Sequence, residues 1–404
     1  MIKFSIFTIG CRTNIAESEK LRALLISKNF VYTEDIKEAN YIFINTCTVT
    51  HKADRDSKKI FNRVRRINKE AQIFITGCAT DLFKEEKNVK ILKFGELLAN
   101  LDHLGEEPKI LPPDKSGHSR YFLKIQEGCD YQCSFCIVPF KRGKAKSVDL
   151  TSLIKETEIA ISKGYREIVL TGTQIGDYGK DLDKKINLGF LIEELLKIDQ
   201  NFRIRLSSLH PSHVNEIFEL LTEKRIPPHL HIPLQSASEK ILKDMKRPYT
   251  LKFFDRILEK ILKINRKFSI GTDLIVGFPT EGEKEFRETL DYAEKAPFSY
   301  IHIFSYSKRI GTEAAKLESL DPKIISERMK IIKELDHKKR LNFLNSLLHK
   351  VAEPVYEQKE DDFLKGLCEY GFSVKFKGNN IKKGEIVKTY IYGTENTYLL
   401  GYKI

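Results

Sequence analysis

The sequence predicts an α/β chain in three parts: a sheet of parallel strands with crossover helices, a larger barrel-like α/β unit, and a small β-barrel at the carboxyl end. Three observations carry this. Apolar runs alternate with amphipathic stretches through most of the chain, which is the pattern of strand–helix–strand units. A stretch with Pro108, Pro112, Pro113 and Gly117 interrupts that alternation at 106–117 and reads as a linker. After residue 350 the pattern changes to alternating apolar positions rich in aromatic residues.

In the first part, residues 1–115, strands are expected at 4–9, 41–44 and 72–75, with helices at 17–28 and 53–68. The second part, 118–350, has six strand candidates at 121–125, 167–170, 203–206, 229–233, 269–276 and 300–304. Helices at 149–163, 190–197, 251–264 and 283–293 separate them, so this part is a barrel, open or partial, or a doubly wound sheet. Residues 322–350 form a charged amphipathic helix or helix pair. The third part, 351–404, holds nine aromatic residues and reads as a small antiparallel β-barrel.

The 404 residues carry a formal charge of +13, and the tail contributes eight acidic and eight basic residues, so the excess lies in the first two parts. Clustered Lys and Arg favour a polyanionic partner, because they release counterions from phosphates. No apolar run reaches membrane-spanning length, and the start, MIKFSIFTIGC, lacks the features of a signal peptide. The expected location is therefore cytoplasmic, where disulfides rarely persist. Seven cysteines in that setting point to metal or redox chemistry.

Cys129, Cys133 and Cys136 stand as C-x3-C-x2-C in EGCDYQCSFCIVPF, after the first strand of the larger part. Three thiolates so spaced hold three irons of a [4Fe–4S] cubane and leave the fourth open. A zinc site normally adds a fourth Cys or His. Cys11, Cys47 and Cys78 are distant in sequence, but each ends a strand: FSIFTIGC, YIFINTC and QIFITGC. Parallel strands present their carboxyl ends on one edge, so three thiols converge there without a local motif. Gly10 and Gly77 permit the tight turn before two of them. This trio suits a second [4Fe–4S] cluster; the alternative is three buried small side chains. Cys368, in the tail, reads as an ordinary half-buried thiol.

The C-x3-C-x2-C motif, with Phe135 between its last two cysteines, resembles the radical S-adenosylmethionine (SAM) superfamily. With TIGCRTNIAESE, INTCTVTHKADRDSKK and TGCAT, nearly the whole chain resembles the methylthiotransferases, and most closely the branch acting on N6-threonylcarbamoyladenosine beside the tRNA anticodon. The resemblance implies a Rossmann-like three-cysteine domain (1–115), a radical SAM partial (β/α)6 barrel (118–350) and a TRAM-like β-barrel (351–404). It implies two [4Fe–4S] clusters, SAM as methyl donor and radical source, tRNA as substrate, and an electron donor such as flavodoxin or ferredoxin. It also implies SAM contacts from Gly172 and Gln174 in LTGTQIGDYG, Ser207 and Ser208 in RLSSLHP, and Gln235 in HIPLQSAS, where Ala237 departs from the family string. DLIVGFPTE and FSYSKRIGTEAA match family strings in the expected order. The expected assembly is a monomer, with no membrane association.

Two basic runs are candidate RNA-phosphate surfaces: 51–69, beginning beside Cys47, and Lys141, Arg142, Lys144 and Lys146 after the radical-type motif. The rival readings are the same chemistry on N6-isopentenyladenosine or a ribosomal-protein aspartate, and a non-catalytic RNA-binding protein with structural zinc.

Overall fold

The computed structural model describes residues 1–102, 117–183, 185–264 and 267–404. The expected linker lies outside these residues except for Gly117. The first part is a parallel sheet of β1 (Lys3–Thr8), β2 (Val31–Tyr32), β3 (Tyr41–Thr46), β4 (Gln72–Gly77) and β5 (Val89–Ile91), in the order β2-β1-β3-β4-β5. Helices α1 (Arg12–Ser27) and α3 (Phe94–Asp102) cover one face, where Phe4, Phe43 and Phe74 meet Leu21, Leu25 and Leu97. Helix α2 (His51–Ile67) covers the other, burying Phe61 and Val64 on Ile42, Ile44, Ile73 and Ile75. Period-2 alternation along each strand supplies both faces at once. Helix α2 starts where the Thr50 side chain accepts the Ala53 N–H.

The second part runs β6 (Tyr121–Glu127), α4 (Val138–Arg142), β7 (Lys146–Ser147), α5 (Leu150–Ser162), β8 (Glu167–Gly172), α6 (Leu188–Leu196), β9 (Arg203–Leu206), β10 (His229–His231), α7 (Glu239–Asp244), α8 (Leu251–Leu262), β11 (Ser269–Val276), α9 (Glu283–Lys295), β12 (Tyr300–Ser305) and α10 (Pro322–Asn345). Six of these strands, β6, β8, β9, β10, β11 and β12, form a parallel arc. The ladder lapses between β9 and β10, which are joined by the Leu209 N–H to His231 carbonyl bond of 2.9 Å. Leu123, Leu170, Ile204, Leu230 and Ile270 point outward into the core formed with the helices. The alternate residues point inward, and this concave face is polar. It carries Glu167, Arg203, Arg205, His229, His231, Asp273 and Tyr300.

The first part plugs that concavity. Ile15 and Ala16 of α1 rest on Phe122 and Val169, the inward residues of β6 and β8. The tail is a curled six-stranded sheet of β13 (Val351–Ala352), β14 (Val355–Glu360), β15 (Phe363–Leu367), β16 (Ser373–Lys377), β17 (Thr389–Glu395) and β18 (Tyr398–Lys403), ordered β13-β17-β18-β16-β15-β14. One pair departs from the antiparallel expectation: β16 and β18 are parallel. The connection 378–388 is too long for a hairpin and crosses over, leaving room for the last strand between β16 and β17. The tail seals the amino ends of the barrel strands, where Arg203 donates to the Glu353 carbonyl (2.8 Å) and Arg205 to the Cys368 carbonyl (2.9 Å). Among the described residues no helix is long and apolar enough to cross a membrane.

Candidate active site

Strand register brings the first trio together. Thr46 pairs with Gly77 and Thr8 with Asn45, so Cys47 and Cys78 are one rung on, level with Gly10. A Cβ on Gly10 would stand 2.8 Å from the Cys47 Cβ, and one on Gly77 would stand 2.3 Å from the Thr46 carbonyl oxygen. Their φ values of +123° and +95° are likewise ones that glycine adopts freely. Cys11, the residue before α1, is exposed, whereas Cys47 and Cys78 are buried. Asn14 ties the edge together, accepting from Cys11 Sγ (3.2 Å) and donating to Asn45 Oδ1 (2.7 Å).

The second trio follows β6. Gly128, at φ +77°, lies so close to Lys144 that a Cβ would come within 1.9 Å of its carbonyl oxygen. The loop is anchored by the Cys129 N–H to the Gly143 carbonyl (3.0 Å) and by Ser134, whose N–H and hydroxyl donate to the Met245 and Asp244 carbonyls (3.1 and 2.7 Å). Phe135 packs with Ile241, Met245 and Phe278. Tyr131 stacks on His210 at 4.6 Å. Burial pushes the His210 pKa down to about 3, which keeps that ring neutral.

Each trio receives one guanidinium. Arg142 Nε donates to Cys78 Sγ at 3.0 Å, and Arg247 Nη1 to Cys133 Sγ at 3.3 Å. Arg142 follows the second trio in sequence but binds the first. It also meets Glu17 and, at 2.8 Å, Glu127, while Lys124 bridges the same two carboxylates. This corrects the expectation that Arg142 faces phosphate: it is turned inward, and Lys141 pairs with Asp81 at 2.8 Å. A second bridge sets Arg309 of the barrel on Asp54 (2.6 Å) and on the Thr48 carbonyl (2.9 Å) beside Cys47. Sequence reasoning missed the cysteine contacts of Arg142 and Arg247 and the bridge from Arg309, because each partner lies far away along the chain.

The donor sets fit iron–sulfur clusters. Burial drives the Cys47 and Cys129 thiols up to about 11 and Cys136 to about 12. Neutral thiols are therefore favoured until a cation compensates them. Among the described residues, His231, Asp273 and His302 bring three ligand atoms within 4.8 Å of one another. Cys78 and Cys11 both act on the Cys47 thiol, and Cys133 and Cys129 on Cys136, so each trio converges, and three thiols suit a cubane, whose corners are separate metals.

Of the expected SAM contacts, Gly172 ends β8, where a Cβ would meet the Gln126 carbonyl oxygen at 2.8 Å, and the Gln174 N–H donates to Gln126 Oε1 (2.9 Å). Gln126 Nε2 in turn holds the Gly128 carbonyl (2.8 Å), so this segment and the Cys129 loop are joined. Ser207 is buried with its hydroxyl on the Leu170 carbonyl (2.8 Å), and Ser208 is exposed. Gln235 has φ +72° and is pinned by the Asp273 carbonyl (2.8 Å). It lines a cavity of about 180 Å³ with Cys136, Phe135 and Asp273 of the barrel and Val49 and Thr50 of the first part. Cys368 is fully buried in the tail core, remote in sequence from both trios.

Residues 123–293 match the family model described as Radical SAM superfamily, and residues 3–94 match Uncharacterized protein family UPF0004. The chain is 38% identical to the Threonylcarbamoyladenosine tRNA methylthiotransferase MtaB of Aquifex aeolicus, covering 85% of this chain and 90% of that protein. It is 34% identical to the protein of the same name from Bacillus subtilis, over 97% and 94%. It is 32% identical to a Campylobacter jejuni tRNA-2-methylthio-N(6)-dimethylallyladenosine synthase, over 99% and 98%. The fold resembles the radical S-adenosylmethionine methyltransferase TsrM of Kitasatospora setae, with TM-score 0.53 and 13% identity over 75% of this chain and 74% of that one. Two convergent cysteine trios on this fold, with these relatives, place the chain in the radical SAM methylthiotransferase family, whose cofactors are SAM and two [4Fe–4S] clusters.

Proposed function

We propose that this enzyme transfers a methylthio group to C2 of N6-threonylcarbamoyladenosine next to the tRNA anticodon. Two thiol trios in one chain, with Arg142 reaching from the segment after the second trio to Cys78 of the first, carry the reading, with the higher identity to the threonylcarbamoyladenosine enzymes. Cys129, Cys133 and Cys136 would hold the SAM-cleaving cluster, and Cys11, Cys47 and Cys78 the cluster that presents sulfur. When bound, SAM and the clusters supply reductive carbon–sulfur cleavage and the methylthio group. The chain supplies position: Arg142, Glu17 and Lys124 lock the two trios together, and Phe135 and Gln235 line the cavity beside Cys136. The C2 hydrogen of adenine is not acidic, so acid–base catalysis has little to act on, and radical chemistry fits the target.

The basic face of α2 suits RNA. Arg55, Lys58, Lys59, Arg63 and Arg66 line a groove of about 1120 Å³ that runs to Gly10, beside Cys11. All five are exposed, and none has an ion pair among the described residues. The tail is neutral, yet Tyr392 and Tyr402 are exposed and stacked at 6.3 Å, a surface on which bases stack. The domains 1–115, 118–350 and 351–404 would divide the labour into sulfur presentation, radical generation and RNA grip.

The test is nucleoside mass analysis of tRNA from a strain lacking the chain. The 2-methylthio form of N6-threonylcarbamoyladenosine should vanish, return with the wild-type gene, and stay absent with Cys47→Ala or Cys129→Ala. Loss of the isopentenyladenosine derivative instead would overturn the substrate assignment. In vitro, Cys129→Ala should abolish SAM cleavage, while Cys47→Ala should cleave SAM without methylthiolation.

A further inference from the structure

The concave face of the barrel sets two guanidiniums on one carboxylate. Glu167 accepts from Arg203 Nε and Nη2 (3.1 and 2.8 Å) and from Arg205 Nε and Nη2 (2.7 and 3.1 Å), so both carboxylate oxygens are taken. Arg120 pairs with Glu357 at 2.8 Å. A fourth guanidinium, Arg12, enters from the other part of the chain. It opens α1 immediately after Cys11, one turn before Ala16, which seats that helix face on Phe122 and Val169. The charged and polar groups that act on it electrostatically are Arg120 and Arg205, against it, and Tyr300 and Glu167, in its favour. Among the described residues Arg12 has neither an ion pair nor a hydrogen-bond partner through its side chain.

A half-buried guanidinium among other cations with no anion of its own is costly, and an incoming anion relieves it. A hydrogen-bonded relay runs from the cavity lined by Cys136 to Tyr300. Asp273 lines that cavity and binds His231 Nε2 (2.8 Å), and His231 Nδ1 meets the hydroxyl of Tyr300 (3.1 Å), a residue that acts electrostatically on Arg12. His302, half exposed, stands 3.5 Å from the same Asp273 oxygen.

We propose that Arg12 is a specificity-determining residue that pairs with a carboxylate on the N6 substituent of the target adenosine. The inference rests on the substrate reading above, since the threonine of a threonylcarbamoyl group carries a carboxylate and an isopentenyl group carries no charge. An Arg–carboxylate pair is bidentate and directional. An apolar substituent would leave Arg12 unpaired, so the site rejects it as well as welcoming the acid.

The experiment measures binding of an anticodon stem-loop RNA to the iron-loaded enzyme, with the target adenosine carrying the threonylcarbamoyl group, its methyl ester, or no substituent. Wild-type enzyme should bind the acid at least about thirtyfold tighter than the ester, the factor given by about 2 kcal/mol for truncating a buried charge pair. Arg12→Gln should bind acid and ester alike, and Arg12→Lys should recover part of the preference. Full preference for the acid in Arg12→Gln would overturn the proposal. So would a loss of SAM affinity in that variant, which would assign the guanidinium to the methionyl carboxylate. If wild-type enzyme does not distinguish threonylcarbamoyl RNA from unsubstituted RNA, the substrate reading itself fails. Should Arg12→Gln not load iron, the acid–ester ratio compared between wild type and Arg12→Lys decides: an unchanged ratio refutes the assignment.

Discussion

Replacing Glu167 by Gln should unfasten the tail from the barrel. The Glu167 side chain is fully buried and accepts four N–H bonds from Arg203 and Arg205. Glutamine keeps the shape but removes the charge, leaving two buried guanidiniums uncompensated. Breaking a buried pair from one side costs about 3–5 kcal/mol. The protonation equilibrium gives a similar figure by another route. Burial alone would raise the Glu167 pKa, yet Arg205 and Arg203 hold it at about 2 against an ordinary 4.5. At 1.36 kcal/mol per unit this is about 3 kcal/mol. The folded pKa is the lower one, so this stability is fully present above pH 4.5 and is lost as pH falls toward 2. The assay is urea unfolding at pH 7 followed by tyrosine fluorescence, since the chain has 16 Tyr and no Trp. Glu167→Gln should lose about 3 kcal/mol, and its stability should fall less steeply than wild type between pH 4.5 and 2. Because Arg203 and Arg205 also hold the Glu353 and Cys368 carbonyls, amides of β16 should exchange faster in the variant. A loss under about 1 kcal/mol, or identical acid sensitivity, would refute this account of the network.

Three further outcomes follow from the site. Gly128→Ala forces a Cβ to 1.9 Å from the Lys144 carbonyl oxygen at φ +77°, so the variant should lose the iron of the second trio and SAM cleavage, with the first trio's iron retained; normal SAM cleavage would contradict it. Arg142→Gln removes the guanidinium from Cys78 and leaves the buried Glu17 with Lys124 and the Asn45 amide, so iron at the first trio should fall while SAM cleavage persists; an unchanged cluster spectrum would show that the contact is dispensable. Changing Lys58, Arg63 and Arg66 together to Ala should weaken tRNA binding and lower the slope of log affinity against log salt by about 2 to 3; an unchanged slope would remove α2 from the RNA surface.

Much of this was legible because the chemistry sits at strand ends. Alternation located the barrel strands within two residues, and equal placement of Cys11, Cys47 and Cys78 after strands implied their convergence before any register was known. Pairings across the two parts were not legible. Arg142 reads as one cation in a basic run, and only the docking of α1 onto β6 makes Glu17 its partner. Arg12 falls before the helix expected at 17–28, and its setting among barrel cations depends on that same docking. The short strands β2 and β7 carry too few residues for periodicity, and the parallel insertion of β18 is set by a long connection, which local turn chemistry does not encode.

The central claim is that two independent iron–sulfur centres are assembled by two thiol trios of one chain. Iron and acid-labile sulfide, quantified alongside electron paramagnetic resonance on anaerobically prepared protein, test it most directly. Wild type should hold about eight irons per chain. The triple alanine variants of Cys11, Cys47 and Cys78, and of Cys129, Cys133 and Cys136, should each hold about half, with different reduced-state spectra. Zinc in place of iron, or one and the same signal lost from both variants, would contradict the account.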